Sequence, residues 1–293
     1  MSNPVYLYVQ DRIVATLNEA ITNGGGLAPW QKPWHGGMCN YISRKPYRGI
    51  NRLLLPESGE YITFKQIKEL QKAKKYSTIK LKKKAKRYLI VFWKITEIDE
   101  DETNGAEVTD ERKVLPLLRY YYVYNIKDVE GLMTKFTKTK EFKPIENAEK
   151  ISSNYLQSSG VTLETVEGTN EACYMPGSDT VQMPAKSQFN AEEPYYAALF
   201  HEYIHSTGHK SRLNREFGLF GDGLYTTEEL VAEIGSAMIY SDLGFSDAVF
   251  NNSVAYLNNW LSQISGDVKL VTNAAQRAQK AADLVLVVTL IHK

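Results

Sequence analysis

An α+β protein of two domains is what this sequence predicts, and three observations carry the prediction. An unusually apolar stretch around residue 200 carries the pattern His-Glu-x-x-His, so a helix with a polar site is expected at the centre of a domain rather than on its surface. Two apolar, tyrosine-rich runs in the first half, Tyr88 to Trp93 and Leu117 to Tyr124, read as strands. Between the halves, Thr134-Lys135-Phe136-Thr137-Lys138-Thr139-Lys140 has linker composition. The expected division is a small mixed α/β domain over 1–131, a linker over 132–143 and a second domain over 144–293.

The totals agree with that reading. A chain of 293 residues that is 43% hydrophobic can fill two cores. Cys39 and Cys173 are the only cysteines and lie far apart, so nothing suggests a disulfide framework or a cysteine zinc knuckle. Met1 to Tyr6 lacks a basic region followed by an apolar core, and no stretch reaches the ~20 apolar residues that span a bilayer, so a cytoplasmic protein with no membrane partner is expected. The net charge of +1 conceals an uneven distribution.

In chain order, Tyr6, Ile13, Val14, Leu17 and Ile21 recur at helical spacing and stop at Gly24-Gly25-Gly26. The next segment interleaves Trp30, Trp34, Tyr41 and Tyr47 with Lys32, His35, Arg44, Lys45, Arg48 and Arg52. Flat rings that stack on unpaired bases, with cations that follow phosphates, hold single-stranded nucleic acid in this way. The same composition also describes tryptophans anchoring a core inside a solvated cationic rim. Tyr61 to Phe64 reads as a short strand or an entry turn and Lys65 to Gln71 as a helix. A lysine run follows, Lys72, Lys74, Lys75, Lys80, Lys82, Lys83, Lys84, Lys86 and Arg87, and leads into the strand Tyr88 to Trp93. Beside the aromatic segment it suggests an electropositive surface for a phosphate backbone. Glu97, Asp99, Glu100, Asp101 and Glu102 with Asn104-Gly105 read as a hairpin excursion before the strand ending at Tyr124.

In the second half, Ile145 to Ser158 reads as a helix and Val161 to Val166 as a strand. Cys173-Tyr174-Met175 and Thr180-Val181-Gln182-Met183 flank the turn Pro176-Gly177-Ser178-Asp179 and form a hairpin, a possible edge for an extended peptide. The metal helix comes next, ended by Gly208, and then a helix from Thr226 to Tyr240 with a threonine and two acids at its start. Ser253 to Ile291 is expected to be helical, closing the core.

The chemistry resides in the two central helices. Spacing of four puts His201 and His205 on one helical face, one turn apart, where they can grip one ion. Glu202 sits beside them, placed to take a proton from a water whose pKa a zinc ion lowers towards ~7. A third ligand must come from elsewhere. The metzincin continuation requires histidine where Ser211 stands, and His209 follows a glycine that turns it away. Glu229 is the expected ligand and Glu233, one turn on, the carboxylate that orients a histidine, with the reverse assignment as the alternative; this is the gluzincin arrangement. The expected ion is Zn2+, one per chain, with Mn2+ or another divalent metal as the alternative.

The two halves together resemble a known family. Trp30-Gln31-Lys32-Pro33-Trp34, Tyr47-Arg48-Gly49-Ile50-Asn51, Thr63-Phe64-Lys65-Gln66 and Val91-Phe92-Trp93 resemble the ArdC-type single-stranded-DNA-binding domain of antirestriction proteins and plasmid primases. Met183-Pro184, Phe189, His201 to His205, Ser206-Thr207-Gly208-His209, Arg212-Leu213 and Glu229 to Glu233 resemble the zincin-like metallopeptidase domain that accompanies it. The resemblance implies protection of incoming plasmid or phage DNA from host restriction, with single-stranded DNA as partner, and a peptide or protein substrate that includes restriction components among its candidates. DNA contacts are then expected from Trp30, Lys32, Trp34, Arg44, Lys45, Tyr47, Arg48, Lys82, Lys83, Lys84, Lys86 and Arg87. Two functions compete: a metallopeptidase that also binds single-stranded DNA, and a non-proteolytic DNA shield or restriction decoy whose metal is structural or regulatory.

Overall fold

Helix α1 (Pro4–Thr22) opens the chain, and its buried residues Val5, Val9, Ile13, Leu17 and Ala20 fall on one stripe at helical spacing. The computed structural model describes residues 4–23, 38–57, 59–73, 77–97, 114–135, 144–167, 169, 171–189, 191–218, 223–245 and 254–286. The first half continues through β1 (Met38–Asn40), α2 (Ile50–Leu54), β2 (Gly59–Thr63), α3 (Phe64–Gln71), β3 (Lys80–Leu81), β4 (Arg87–Glu97), β5 (Val114–Asn125) and β6 (Val129–Glu130).

Four of these strands form a sheet in the order β1-β2-β5-β4, with β1 parallel to β2 and the other pairs antiparallel. Strands β4 and β5 pair from Arg87 with Tyr124 to Glu97 with Val114, the long ribbon expected of a hairpin. The acidic residues between them lie outside the described residues. Helix α3 begins where its sequence dictates: Thr63 Oγ1 accepts the Gln66 amide while Gln66 Oε1 accepts the Thr63 amide, a complete capping box.

The second half runs α4 (Pro144–Ser159), β7 (Thr162–Val166), β8 (Cys173–Met175), β9 (Thr180–Pro184), α5 (Glu192–Ser206), α6 (Gly223–Leu243), α7 (Val254–Gly266) and α8 (Leu270–Leu286). Its small sheet has the order β7-β9-β8, which leaves β8 an edge strand. Two expectations change. Helix α6 begins at Gly223, so Thr226 lies inside its first turns instead of capping it. The C-terminal helix is split in two, because Gly266 and Asp267 interrupt it and Asp267 Oδ1 accepts the Lys269 amide at 2.8 Å.

The two sequence segments share one hydrophobic core. Val9, Ile13 and Leu17 of α1, Leu53 of α2 and Val91 of β4 belong to the same buried cluster as Phe200 of α5, Ile234 of α6 and Ala275 of α8. Polar contacts fasten the seam. Arg48 pairs with Asp283, the Gly49 amide donates to Gln279 Oε1 at 2.9 Å, and Arg52 pairs with Asp242 at 2.8 Å. From the same stretch, the Asn51 side chain donates to the Val91 carbonyl and accepts the Val91 amide, both at 2.8 Å. The Tyr47 to Arg52 motif is thus a bolt between the halves. A smaller core of Tyr41, Ile62, Ile67, Ile79, Ile126 and Val129 lies on the other side of the first sheet. Beside it the buried Glu60 carboxylate receives Arg44, the Thr134 hydroxyl at 2.7 Å and the Lys135 amide at 2.8 Å.

Candidate metal centre

Helix α5 is buried through Tyr195, Tyr196, Leu199, Phe200, Tyr203 and Ile204, so its polar residues sit in the middle of the second half. Helix α6 packs against it with unusual closeness at one point: a Cβ on Gly235 would lie 2.9 Å from Ile204 Cδ1. That approach brings the first turns of α6 to the histidine face of α5. Past the end of α5, a Cβ on Gly208 would lie 2.7 Å from Phe217 Cζ and 3.1 Å from Arg215 Nη2. Glycine there permits the following chain to fold back over the site.

The expected ligand atoms come together. His201 Nε2 and His205 Nε2 are 3.2 Å apart, and Glu229 carboxylate oxygens lie 3.8 Å from the first and 3.5 Å from the second. An ion bound tetrahedrally with bonds of 2.0–2.1 Å separates its ligand atoms by roughly 3.3–3.4 Å, so these three residues fit a zinc-sized ion with one position left open. His209 instead turns to Ser211 Oγ, 2.8 Å from its Nδ1, outside the ligand group.

Around the ligands the electrostatics are uneven. Burial, with the neighbouring His205, pushes the His201 pKa down to about 3. Burial acts the same way on His205, but hydrogen bonding to Glu228 and the charges of Glu202 and Glu229 outweigh it and raise the pKa. Glu202 is buried next to the pair; burial raises its carboxyl pKa, while the Tyr174 backbone amide of β8 donates to it. A cavity of about 430 Å3 opens between Cys173, Tyr174 and Pro176 of the hairpin and the residues His201, Glu202, Phe217 and Glu229. The edge strand β8 therefore forms one wall of the site.

The carboxylate that touches a histidine from behind is Glu228, whose Oε1 lies 3.2 Å from His205 Nδ1. One-turn spacing with Glu229 points to Glu233 for this role; the structure places Glu228 against His205. Glu228 is itself held by Arg215, through Nε at 2.8 Å and Nη2 at 2.7 Å, and Arg215 also donates to Thr207 Oγ1 and the Ile204 carbonyl. The sequence signal missed was an arginine seven residues past Gly208 with a second acid beside Glu229. On the far side Arg212 pairs with Asp179 and donates to the Ser206 carbonyl, tying the β8 to β9 turn to the end of α5.

The residues expected at DNA divide. Trp30, Lys32 and Trp34 lie outside the described residues. Tyr47 is 8% exposed and edge-on to Tyr61, so it is a core residue, not a surface on which a base can stack. Arg44 and Arg48 are joined to Glu60 and Asp283. Lys45, Lys82, Lys83, Lys84, Lys86 and Arg87 are exposed. Exposed rings occur elsewhere, on the β4 to β5 ribbon, where Phe92 and Tyr121 pack against each other at 5.8 Å and Tyr120 is 50% exposed. Strand alternation carried that signal, since a run of three tyrosines must present rings on both faces.

Comparison with known proteins agrees with the architecture. Residues 4–124 match the N-terminal domain of anti-restriction factor ArdC, and residues 149–277 match a zincin-like metallopeptidase. The crystal structure of antirestriction ArdC from plasmid R388 in its Mn(II)-bound form superposes with a TM-score of 0.72 at 29% identity, covering 98% of this chain and 99% of that one. Its metal-free form gives 0.70 at 31% identity, with 96% of each chain covered. Protein y4eC of Sinorhizobium fredii is 31% identical over 95% of this chain and 90% of its own length. DNA primase TraC of Escherichia coli is 31% identical over 98% of this chain, which spans only 27% of the primase. No helix among the described residues is long and apolar enough to cross a membrane. By these likenesses over nearly its whole length, the chain belongs to the ArdC antirestriction family, an ArdC N-terminal domain joined to a zincin-like metallopeptidase domain.

Proposed function

We propose that this chain is a metal-dependent endopeptidase that also binds single-stranded DNA, acting for a mobile element against restriction. The observation that carries the peptidase reading is the combination of three ligand residues with a buried carboxylate, Glu202, that is not one of them. A purely structural metal site fills its coordination sphere with protein and has no use for a fourth, proton-accepting group. His201, His205 and Glu229 would hold a divalent ion, Zn2+ or Mn2+; when bound, that ion supplies a Lewis acid and lowers the pKa of a water towards ~7. The manganese of the R388 relative supports the second choice.

The chain's own residues supply the rest. Glu202, its pKa raised by burial and its carboxylate steadied by the Tyr174 amide, accepts the proton of the attacking water and returns it to the leaving amine. Strand β8 offers its edge to an extended peptide, so backbone hydrogen bonds fix the scissile bond across the site before side chains are read. The DNA reading rests on exposed rings and cations of the first half, above all Phe92, Tyr120 and Tyr121 beside Arg119 and Lys94 on the β4 to β5 ribbon.

The test is a peptide-library digestion by the metal-loaded protein, with and without a single-stranded oligonucleotide, beside Glu202→Gln. Cleavage by the wild type that Glu202→Gln abolishes while retaining metal is the expected result. Absence of cleavage under all these conditions, together with tight DNA binding, favours the competing reading of a DNA shield.

A further inference from the structure

A second cavity, of about 270 Å3, is lined entirely by residues of the first half, between α1 and the start of β4. Tyr8 and Arg12 line it from α1, Leu54 from α2, and Lys86, Arg87 and Tyr88 from the end of the lysine run. Three cations thus face one small space. Several other cations of the first half are neutralised internally: Arg44 by Glu60, Arg48 by Asp283, Arg52 by Asp242, Lys80 by Glu130 and Lys127 by Glu57. Among the described residues, none of Arg12, Lys86 and Arg87 is within ion-pair distance of a carboxylate. Asp128 and Glu57 are near enough to act on the Tyr88 hydroxyl, but Glu57 already receives Lys127 at 2.7 Å and Asn125 at 3.0 Å.

Like charges gathered around a cavity repel one another, and an anion that enters it relieves the repulsion. The lining is also aromatic. Tyr8 is 40% exposed, and the Arg87 guanidinium lies 4.3 Å from the centre of the Tyr122 ring. A phosphate flanked by a flat ring is the group that such a pocket recognises. Its volume is just below the range of ordinary small-molecule pockets, which suits one nucleotide unit rather than a length of strand.

We propose that this cavity takes a single nucleotide unit of the bound strand, its phosphate among Arg12, Lys86 and Arg87 and its base against Tyr8. The inference rests on the single-strand reading above and fixes where the strand is anchored. The pocket shares no lining residue with the cavity at the metal centre, so anchoring there leaves the peptide cleft open while DNA is held.

The experiment titrates a fluorescent twelve-nucleotide oligothymidylate into the full-length wild type, R12E/K86E and K150E/K210E over a range of salt. Lys150 and Lys210 are exposed residues of the second half, so the two double variants change net charge equally. R12E/K86E should weaken binding by about tenfold or more at low salt and flatten the log-log salt slope by roughly 0.7 for each phosphate no longer neutralised, while K150E/K210E stays at the wild-type value. Tyr8→Ala should weaken binding by roughly 5- to 150-fold without changing the slope. Thymidine 5′-monophosphate should displace the strand from the wild type, which separates a single-unit occupant from a strand lying across the surface. The substituted side chains are all solvent-exposed, and matching thermal melts establish that the variants are folded.

Equal losses in both double variants would reduce the effect to net charge and overturn the inference. Displacement of the strand by an acidic peptide as readily as by the mononucleotide would overturn the nucleotide assignment. If the wild type binds the strand and R12E/K86E binds it equally well, the pocket is wrong and the single-strand reading stands. If the wild type does not bind at all, both fall.

Discussion

Glu228 Oε1 lies 3.2 Å from His205 Nδ1, and this pairing determines which nitrogen of His205 faces the ion site. With Nδ1–H donated to Glu228, Nε2 is the atom left to meet His201 and Glu229, and Arg215 keeps the carboxylate in place. Carboxylates that orient metal-binding histidines usually alter affinity by ~10- to 100-fold, so Glu228→Gln should weaken metal binding on that scale. Calorimetric titration of the metal into Glu228→Gln and Glu233→Gln checks it. A larger loss at Glu233 would return the orienting role to that residue.

Removing a ligand should act on stability as well as on metal content. His201→Ala and His205→Ala should lose the ion and with it the metal-dependent rise in Tm, because an ion that binds only the folded state stabilises it by mass action. Glu202→Gln should keep both. Metal analysis paired with thermal melts in chelator and in added zinc distinguishes the two classes.

Protons and metal compete for His205. Its pKa is raised by Glu228 and the nearby carboxylates against the effect of burial, so in the metal-free protein a proton is held at pH values where an ordinary histidine has released it. Apparent metal affinity should therefore begin to fall with decreasing pH from above the ordinary value of ~6.5, by up to about tenfold per pH unit. A flat affinity between pH 8 and 6 contradicts this.

Glu60 gives the first half its acid sensitivity. Burial alone raises its pKa, but the Thr134 hydroxyl, Arg44 and the Lys135 amide outweigh that and hold the carboxyl below its ordinary value. A depressed folded pKa contributes stability that is present above the unfolded value of ~4.3 and is lost as pH falls through the folded value. Glu60→Ala should cost on the order of 1–3 kcal/mol at neutral pH, from the polar partners left unpaired, and should shrink the acid-induced loss. Denaturant melts of both proteins between pH 7 and 3 measure it.

A shared core predicts shared unfolding. Because α1 and α2 belong to the same buried cluster as α6 and α8, calorimetry of the intact chain should give one cooperative transition. Arg52→Ala, which frees Asp242 at the seam, should lower the single Tm rather than split the transition. Two separated peaks would show that the halves fold independently.

Sequence reasoning went furthest where a local rule sufficed. The helix from Lys65 to Gln71, the hairpin around Pro176 to Asp179, and the two histidines one turn apart each depend on residues within a few positions of one another. It went wrong at Tyr47, whose aromatic character suggested a nucleic-acid surface but which is buried. Its partner Tyr61 is distant in the chain, so nothing local distinguished a stacking ring from a core ring, just as nothing local showed that Arg48 pairs with Asp283.

By itself, then, the sequence determined the α+β class, the helix that presents His201 and His205, and Glu202 beside them, because helical periodicity converts spacing into a shared face. Only the tertiary structure decided that Glu228 touches His205, that the Tyr47 to Arg52 stretch bolts two halves into one core, and that Arg12 of α1 meets Lys86 and Arg87 at the start of β4 across a pocket. The physical reason is the same in each case: which side chain meets which depends on how closely two elements pack. That distance is set by approaches such as Gly235 against Ile204, which no single stretch of sequence contains.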